Sequence, residues 1–224
     1  MNPTRSLKGE ILKHKRALSI IIWFHIIGLI GLSIPFSNPL FLSLVPFHLL
    51  LMLVVILFSH KRTGKRFFFF VLLISALGYL AEWLGVHRYW LFGNYQYGKT
   101  LGFKILDVPL IIGLNWFLLI YSAGVLMQRC RLKSKLWRIL CGAILLVLLD
   151  LLIEPVADRF DYWHWANDII PIKNYVCWFL ISGFMLFLFE QFNFKKQSMV
   201  APILFTAQFI FFGILCLVQV IFLP

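Results

Sequence analysis

Leu136–Pro155 reads LWRILCGAILLVLLDLLIEP: a basic residue near the start, a nearly unbroken apolar run, then Asp150 and Glu154 four residues apart near the end. A helix needs about 17 to 25 apolar residues to cross a bilayer's hydrocarbon core, and this run supplies them. Working outward, spans of the same kind are predicted at residues 17–34, 39–58, 67–84, 106–128, 136–153, 172–191 and 199–223. The chain is therefore expected to be an all-α, polytopic integral membrane helix bundle of about seven transmembrane helices, forming a single transmembrane domain over residues 1–224. Composition agrees, because 61% hydrophobic and 13% charged residues leave too little polar surface to cover a soluble globule. The basic N-terminal stretch followed by an apolar run has the outline of a signal peptide. No small-x-small cleavage pattern precedes Pro35, so it is read as an uncleaved first helix.

A net charge of +12 would point to nucleic acid in a soluble protein, but here the basic residues lie in the short breaks between apolar runs. With the N-terminus inside, one face collects Arg5, Lys8, Lys13, Lys15, Arg16, Lys61, Arg62, Lys65, Arg66, Arg129, Arg131, Lys133, Lys135, Arg138, Lys195 and Lys196, 16 of the 21 basic residues. The excess of Lys and Arg in cytoplasmic loops then places the N-terminus in the cytoplasm and the C-terminus outside, in the cytoplasmic membrane, with no nucleic-acid partner. The acids do the opposite. Only Glu10 and Glu190 fall inside, while Glu82, Asp107, Asp150, Glu154, Asp158, Asp161 and Asp168 sit at or beyond the outer helix ends. Asp158, Asp161 and Asp168 are expected in water. Glu82, Asp150 and Glu154 lie within or at the edge of apolar runs, where ionisable groups are costly and face the bundle interior.

A weak internal repeat underlies this arrangement. VPLIIGLNWFLL, residues 108–119, matches IPIKNYVCWFLI, residues 170–181, at a proline and at a Trp-Phe-Leu seven residues later. Each follows an aromatic loop, YWLFGNYQYG (89–98) or YWHWAND (162–168), and each loop follows a helix ending in acid. A first repeat over 67–128 and a second over 136–191 would run in the same direction, with a site at their interface.

Asp150 and Glu154 share a helix face by their spacing of four. Two close carboxylates in a low dielectric do not both ionise easily, so one can retain a proton and donate it at neutral pH. Glu82 is a candidate third member of the cluster. The competing role for these acids is structural, as caps or as partners of loop polar groups. Pro109 and Pro171 are expected in the first turn of their helices and Asp107 and Asp168 as caps. Trp116 and Trp178, seven residues further in, lie about 10 Å deep at 1.5 Å per residue. Packing is the commoner fate of such a tryptophan, but two beneath a carboxylate cluster can line a pocket and stabilise a cation. Asn115 and Asn174 need partners wherever they are buried and can orient a water or a carboxylate. His25 and His48 fall mid-helix, as proton carriers or, more commonly, as neutral packed rings.

Other functions lack support. The last span contains no lysine for a retinal Schiff base, and no P-loop, GxGxxG or HExxH motif occurs. Cys130, Cys141, Cys177 and Cys216 form no CxxC pair, so neither a disulfide framework nor a zinc site follows.

Glu82-Trp-Leu-Gly-Val86, Phe92-Gly-Asn-Tyr-Gln-Tyr97, Val108-Pro109 and Trp116 resemble the first half of the membrane-bound carotenoid biosynthesis proteins of the CruF type. Asp150-Leu-Leu-Ile-Glu-Pro155, Tyr162-Trp-His-Trp165 and Ile170-Pro-Ile-Lys-Asn174 with Trp178 resemble its second half, so the resemblance covers roughly residues 70 to 185. It implies hydration of the terminal 1,2 double bond of an acyclic carotene end, giving a tertiary alcohol without redox cofactor or metal. On that reading Glu82, Asp150 and Glu154 are catalytic, and Tyr95, Tyr97, Asn115, Trp116, Trp163, Trp165, Asn174 and Trp178 contact a hydrophobic carotene within the lipid. The family is similar to the membrane-type lycopene cyclases, which also begin by protonating an alkene. Here Pro155 follows Glu154, unlike the cyclases' Pro-x-Glu-Glu type motif, and that favours hydration. Two rivals remain in view: a membrane prenyltransferase, because Asp150 and Glu154 distantly resemble acidic diphosphate motifs, and a small proton-coupled transporter, because intramembrane acids accompany a repeat.

Overall fold

The computed structural model describes residues 3–222. The expected end of the last span at residue 223 and the side chains of Arg5, Lys8 and Glu10 lie outside what is described. Among the described residues there are seven helices, each long and apolar enough to cross a membrane: α1 (Pro3–Ser33), α2 (Asn38–Ser59), α3 (Lys65–Arg88), α4 (Leu110–Arg129), α5 (Lys135–Ala157), α6 (Ile172–Phe192) and α7 (Val200–Phe222). The chain is a multi-pass helix bundle, as the apolar runs predicted.

The connections alternate in character. Short basic links join α2 to α3, α4 to α5 and α6 to α7 at one end of the bundle. That end is fastened by Arg138, whose Nε and Nη2 each donate to Glu190 at 2.8 Å, and by His60 Nδ1 against the Tyr121 hydroxyl at 2.6 Å. A buried carboxylate needs such a fork-shaped partner, which accounts for the lone described acid at the basic end. The opposite end carries the two long aromatic connections.

Both connections are more ordered than the sequence suggested. Strand β1 (Tyr95–Tyr97) of the first pairs antiparallel with β4 (Trp163–Trp165) of the second, in the register Tyr95 to Trp165, Gln96 to His164 and Tyr97 to Trp163. A hairpin of β2 (Lys104–Ile105) and β3 (Val108–Pro109) completes the first connection. The two connections correct three expectations. The fourth helix begins at Leu110 rather than near 106, because residues 104–109 pair as strands. Asp107 sits in the hairpin turn with a positive φ and caps nothing, and Asp168 lies in a short 3-10 turn ahead of α6. Pro109 and Pro171 occupy the cap positions of α4 and α6 with extended backbone, one residue before the helical turn. The missing proline N–H costs nothing there.

α4 is the central helix, packed on α2, α3, α5, α6 and α7, with Trp116, Phe117 and Tyr121 fully buried along it. α3 lies closest on one side and α6 packs on α5 on the other, so the carboxylate-bearing helices flank this centre. Contact between α3 and α4 depends on Gly78, where any side chain would overlap the Trp116 indole.

Candidate active site

Glu82, Asp150 and Glu154 are all buried, at 6%, 0% and 4% exposure, at the aromatic end of the bundle. Three carboxylates buried together persist only if donors surround them or protons neutralise them. The first remedy holds for two of the three. Glu82 Oε2 accepts from the hydroxyls of Tyr95 at 2.5 Å and Tyr97 at 2.7 Å, and its Oε1 accepts from Trp116 Nε1 at 2.8 Å. Burial first, and then the neighbouring Glu82 charge, hold both phenols well above the usual tyrosine value, so both remain protonated donors. Tyr95 reaches Glu82 across Gly85, where a Cβ would stand 2.6 Å from its hydroxyl.

Glu154 is served in a parallel way. Its Oε2 accepts from the indoles of Trp165 at 2.8 Å and Trp163 at 3.2 Å, and its Oε1 from Asn174 Nδ2 at 3.1 Å. The same Asn174 amide donates to Asp150 Oδ2 at 2.8 Å, so one side chain bridges the two acids of α5. Asp150 differs, because its Oδ1 is buried with no hydrogen-bond partner among the described residues. A fully buried, unpartnered carboxylate oxygen is the position where a bound proton removes the greatest cost.

Beside these groups lies a cavity of about 40 Å³ whose lining includes the polar Glu82, Glu154, Asn115 and Asn174 and the apolar Phe92, Ile112, Ile153, Trp116 and Trp178; Asp150 is not on its wall but is bonded to Asn174, which is. A water needs roughly 10 to 15 Å³ of such space and two or more polar partners, so the cavity accommodates water. Trp116 and Trp178 stack face to face with centroids 4.5 Å apart and planes 23° apart. Tyr95, Tyr97, Trp163 and Trp165 roof the cavity from the paired strands.

The structure thus brings together the expected acids and the eight expected contact residues, Asp150 through its bond to Asn174, while His25 and His48 lie apart between α1 and α2. Asn115 is half-buried on the wall, while Asn174 is almost wholly buried between the acids. The sequence reading missed His164. Its Nδ1 meets Asp158 at 2.6 Å and its Nε2 meets Asp161 at 2.8 Å, while Asp161 Oδ2 also accepts the Lys99 backbone N–H at 2.8 Å. Both ring nitrogens face carboxylates of its own connection, so the ring braces Asp158 and Asp161, and Asp161 in turn holds the first connection at the Lys99 N–H. Two acids spaced three apart before an aromatic-flanked histidine were the available signal.

With this geometry in place, residues 42–224 match the family described as "Carotenoid biosynthesis protein". The chain belongs to that family. One relative, the bisanhydrobacterioruberin hydratase of Haloarcula japonica, is 28% identical over 169 residues, covering 72% of this chain and 57% of the relative. The chain therefore spans little more than half the length of that relative. No solved structure matches it. The family match takes in α3 to α6 and both connections, and hence every residue around the cavity.

Proposed function

We propose that this protein hydrates the terminal 1,2 double bond of an acyclic carotene end. Asp150, buried beside the cavity rather than on its wall, donates a proton to C2 of the terminal alkene once side chains part to admit it, leaving a tertiary cation at C1. The faces of Trp116 and Trp178 and the carboxylates of Glu82 and Glu154 stabilise that cation. A water held between Asn115, Asn174 and a carboxylate adds to C1 and gives up a proton, which returns to Asp150 through Glu154 and the bridging Asn174 side of the site. The balance is one alkene and one water to one tertiary alcohol, with no change of oxidation state overall and no cofactor in the proposed step.

The observation that carries this reading is the water-sized cavity lined by the carboxylates Glu82 and Glu154, the amides Asn115 and Asn174, and the indoles Trp116 and Trp178. A cyclase would gain from a dry cavity, because it must deny the cation to water. The family membership and the relative named as a hydratase support the same reading. At about 40 Å³ the cavity holds water but not a carotene end, so substrate admission requires side chains or helices to part.

The two halves, residues 67–128 and 136–191, are part of this proposal as parallel duplicates. The strand register supports it: Tyr95 and Trp163 hold corresponding places in the two loops, as do Tyr97 and Trp165, and each pairs with the counterpart of the other. Such reciprocal pairing is what a two-fold relation generates. The basic end is proposed to face the cytoplasm of a cytoplasmic membrane, with the N-terminus inside and the site near the outer face.

Expression in a host that accumulates an acyclic carotene tests the reaction. The product should gain the mass of one water per modified end, with the isotope of labelled water at C1. A product of unchanged mass with a cyclised end would replace hydration by cyclisation, and unmodified pigment would remove the reaction altogether.

A further inference from the structure

A second cavity of about 430 Å³ lies between α1, α2 and α7, some ten times larger than the 40 Å³ cavity among the carboxylates. Its size falls within the roughly 300 to 1,000 Å³ of small-molecule sites. Its walls are mostly apolar, with Ile27, Leu49, Met52 and Phe211 among them. Phe24 and Phe47 on its lining are 46% and 66% exposed, so the cavity adjoins the lipid-facing surface.

Four polar side chains interrupt this apolar wall: His25, His48, Gln208 and Tyr162. Gln208 is 7% exposed, and its Oε1 has no hydrogen-bond partner among the described residues. His25, also 7% exposed, places Nδ1 2.8 Å from the Ile21 carbonyl. That nitrogen must carry the hydrogen, because a carbonyl only accepts, so Nε2 of the neutral ring is left as an acceptor. His48 packs edge-on against it, with centroids 4.8 Å apart. The cavity therefore offers acceptors in an apolar, lipid-side setting, where an acceptor without a donor is costly. A hydrocarbon chain satisfies the walls but not these atoms, and a charged donor would have to shed its hydration. A neutral hydroxyl at the end of an apolar chain satisfies both.

We infer that the cavity between α1, α2 and α7 is a second binding site, which takes the hydroxyl-bearing end of an apolar isoprenoid chain on Gln208 and His25. Tyr162 supplies its link to the carboxylates. The Tyr162 ring lines this cavity and lies 6.2 Å from the ring of Trp163, whose indole donates to Glu154. The hydrated carotene is thus the source nearest to hand, and that source rests on the proposed hydration; the hydroxyl chemistry does not.

The test uses the full chain carrying Asp150→Asn, so that nothing turns over during the measurement. A diazirine-bearing geranylgeraniol is photo-crosslinked in nanodiscs, and the labelled peptides are mapped. Competitors are run as matched pairs: an acyclic carotene hydrated at its terminal 1,2 bond against its parent carotene, and geranylgeraniol against the C20 hydrocarbon phytane. Labelling is expected within residues 24–32 and 41–52. An alcohol should compete about tenfold better than its hydrocarbon, the value of a net hydrogen bond near the upper end of the usual range. Adding Gln208→Leu should erase that preference while retaining hydrocarbon binding, and Gly28→Leu should block labelling by filling the cavity. Equal competition by alcohol and hydrocarbon in both pairs, or a preference that survives Gln208→Leu, overturns the site. A preference confined to the geranylgeraniol pair overturns the carotene as its source. Failure of the hydration assay with the tenfold preference intact sinks the reaction and not this site.

Discussion

Glu82 stands thirteen and fifteen residues before Tyr95 and Tyr97, and Asp150 stands thirteen and fifteen before Trp163 and Trp165. By spacing the two acids are counterparts, yet their surroundings differ. In the α3–α4 half, the aromatic loop gives both its polar hydrogens to Glu82, and Trp116 gives a third. In the α5–α6 half, the two indoles go instead to Glu154, one helical turn further on, where the first half has Val86. Asp150 is left with one amide bond and a bare oxygen. One further carboxylate has taken the donors, so that Glu82 accepts from three side chains while Asp150 keeps a bare oxygen. The amides differ as well: Asn174 lies three residues after Pro171, where the first half has Ile112, so only the second half has a bridge between acids.

The sharpest break in the comparison is Asp150→Asn. If Asp150 is the acid, the amide keeps the shape but supplies no proton, and hydration should fall by about a hundredfold or more at unchanged membrane abundance. Parental turnover by an abundant Asp150→Asn protein would place the acid elsewhere. Glu82→Gln should do less to the chemical step, by about ten- to a hundredfold, and more to the fold. It sets an NH2 group among three donors, and an unmet buried donor costs about 1 to 3 kcal/mol. A lowered unfolding temperature is therefore expected for Glu82→Gln and not for Asp150→Asn. Equal thermal loss in the two would erase the distinction drawn between the halves.

The spans and the membership of the site were legible in the sequence, and the reason is periodicity; the asymmetry between the halves was not. Spans, polarity and the clustering of acids follow from apolar runs and charge placement, which lipid enforces strictly. A spacing of four put Asp150 and Glu154 on one face, and the repeated Pro and Trp-Phe-Leu paired Trp116 with Trp178. What stayed hidden were partnerships across loops. Nothing in the chain's local pattern says that Trp163 and Trp165 bond Glu154 rather than Asp150, because that choice depends on the register of β1 on β4. Residues 106–109 of the hairpin were absorbed into a helix for a similar reason: Leu106 and Val108 read as apolar helix, and the turn at Leu106 and Asp107, with positive φ at both, leaves only a faint trace in the sequence. His164 was passed over because its partners lie in the same loop, outside the span where ionisable groups attract notice.

Gly85→Ala offers a gentler way to sharpen the comparison. The new Cβ would fall 2.6 Å from the Tyr95 hydroxyl and 3.0 Å from Phe92, so the phenol must move off Glu82. Overpacking of this kind costs about 1 to 3 kcal/mol. Activity should drop severalfold, and Tyr95→Phe in the same background should add little, since the bond it removes is already lost. Full additivity of the two substitutions would show that Gly85 acts by some route other than Tyr95.

The smallest effect concerns what ties the halves together above the site. His164 is raised above the ordinary histidine value, first by its hydrogen bond to Asp161 and next by that to Asp158. Asp161 is lowered: burial acts upward on it, but the hydrogen bonds from His164 and the Lys99 N–H outweigh that. A raised histidine contributes fully below its unfolded value near 6.5 and loses its contribution as pH climbs through the raised one. A lowered aspartate contributes above its unfolded value near 3.8 and loses its contribution as pH falls through the lowered one. The clasp is therefore complete in mildly acidic solution, slackens above the raised histidine value and fails again in strong acid. The side chains of His164, Asp158 and Asp161 are 36%, 65% and 45% exposed, so solvent screening keeps the effect modest. Hydrogen-exchange protection of the Lys99 and Thr100 amides, which donate to the Asp161 side chain and carbonyl, should fall about two- to threefold between pH 6 and pH 9 after correction for the intrinsic rate. His164→Gln should show the lower protection at both pH values. If the variant retains the same pH response, the loss arises from a group other than His164.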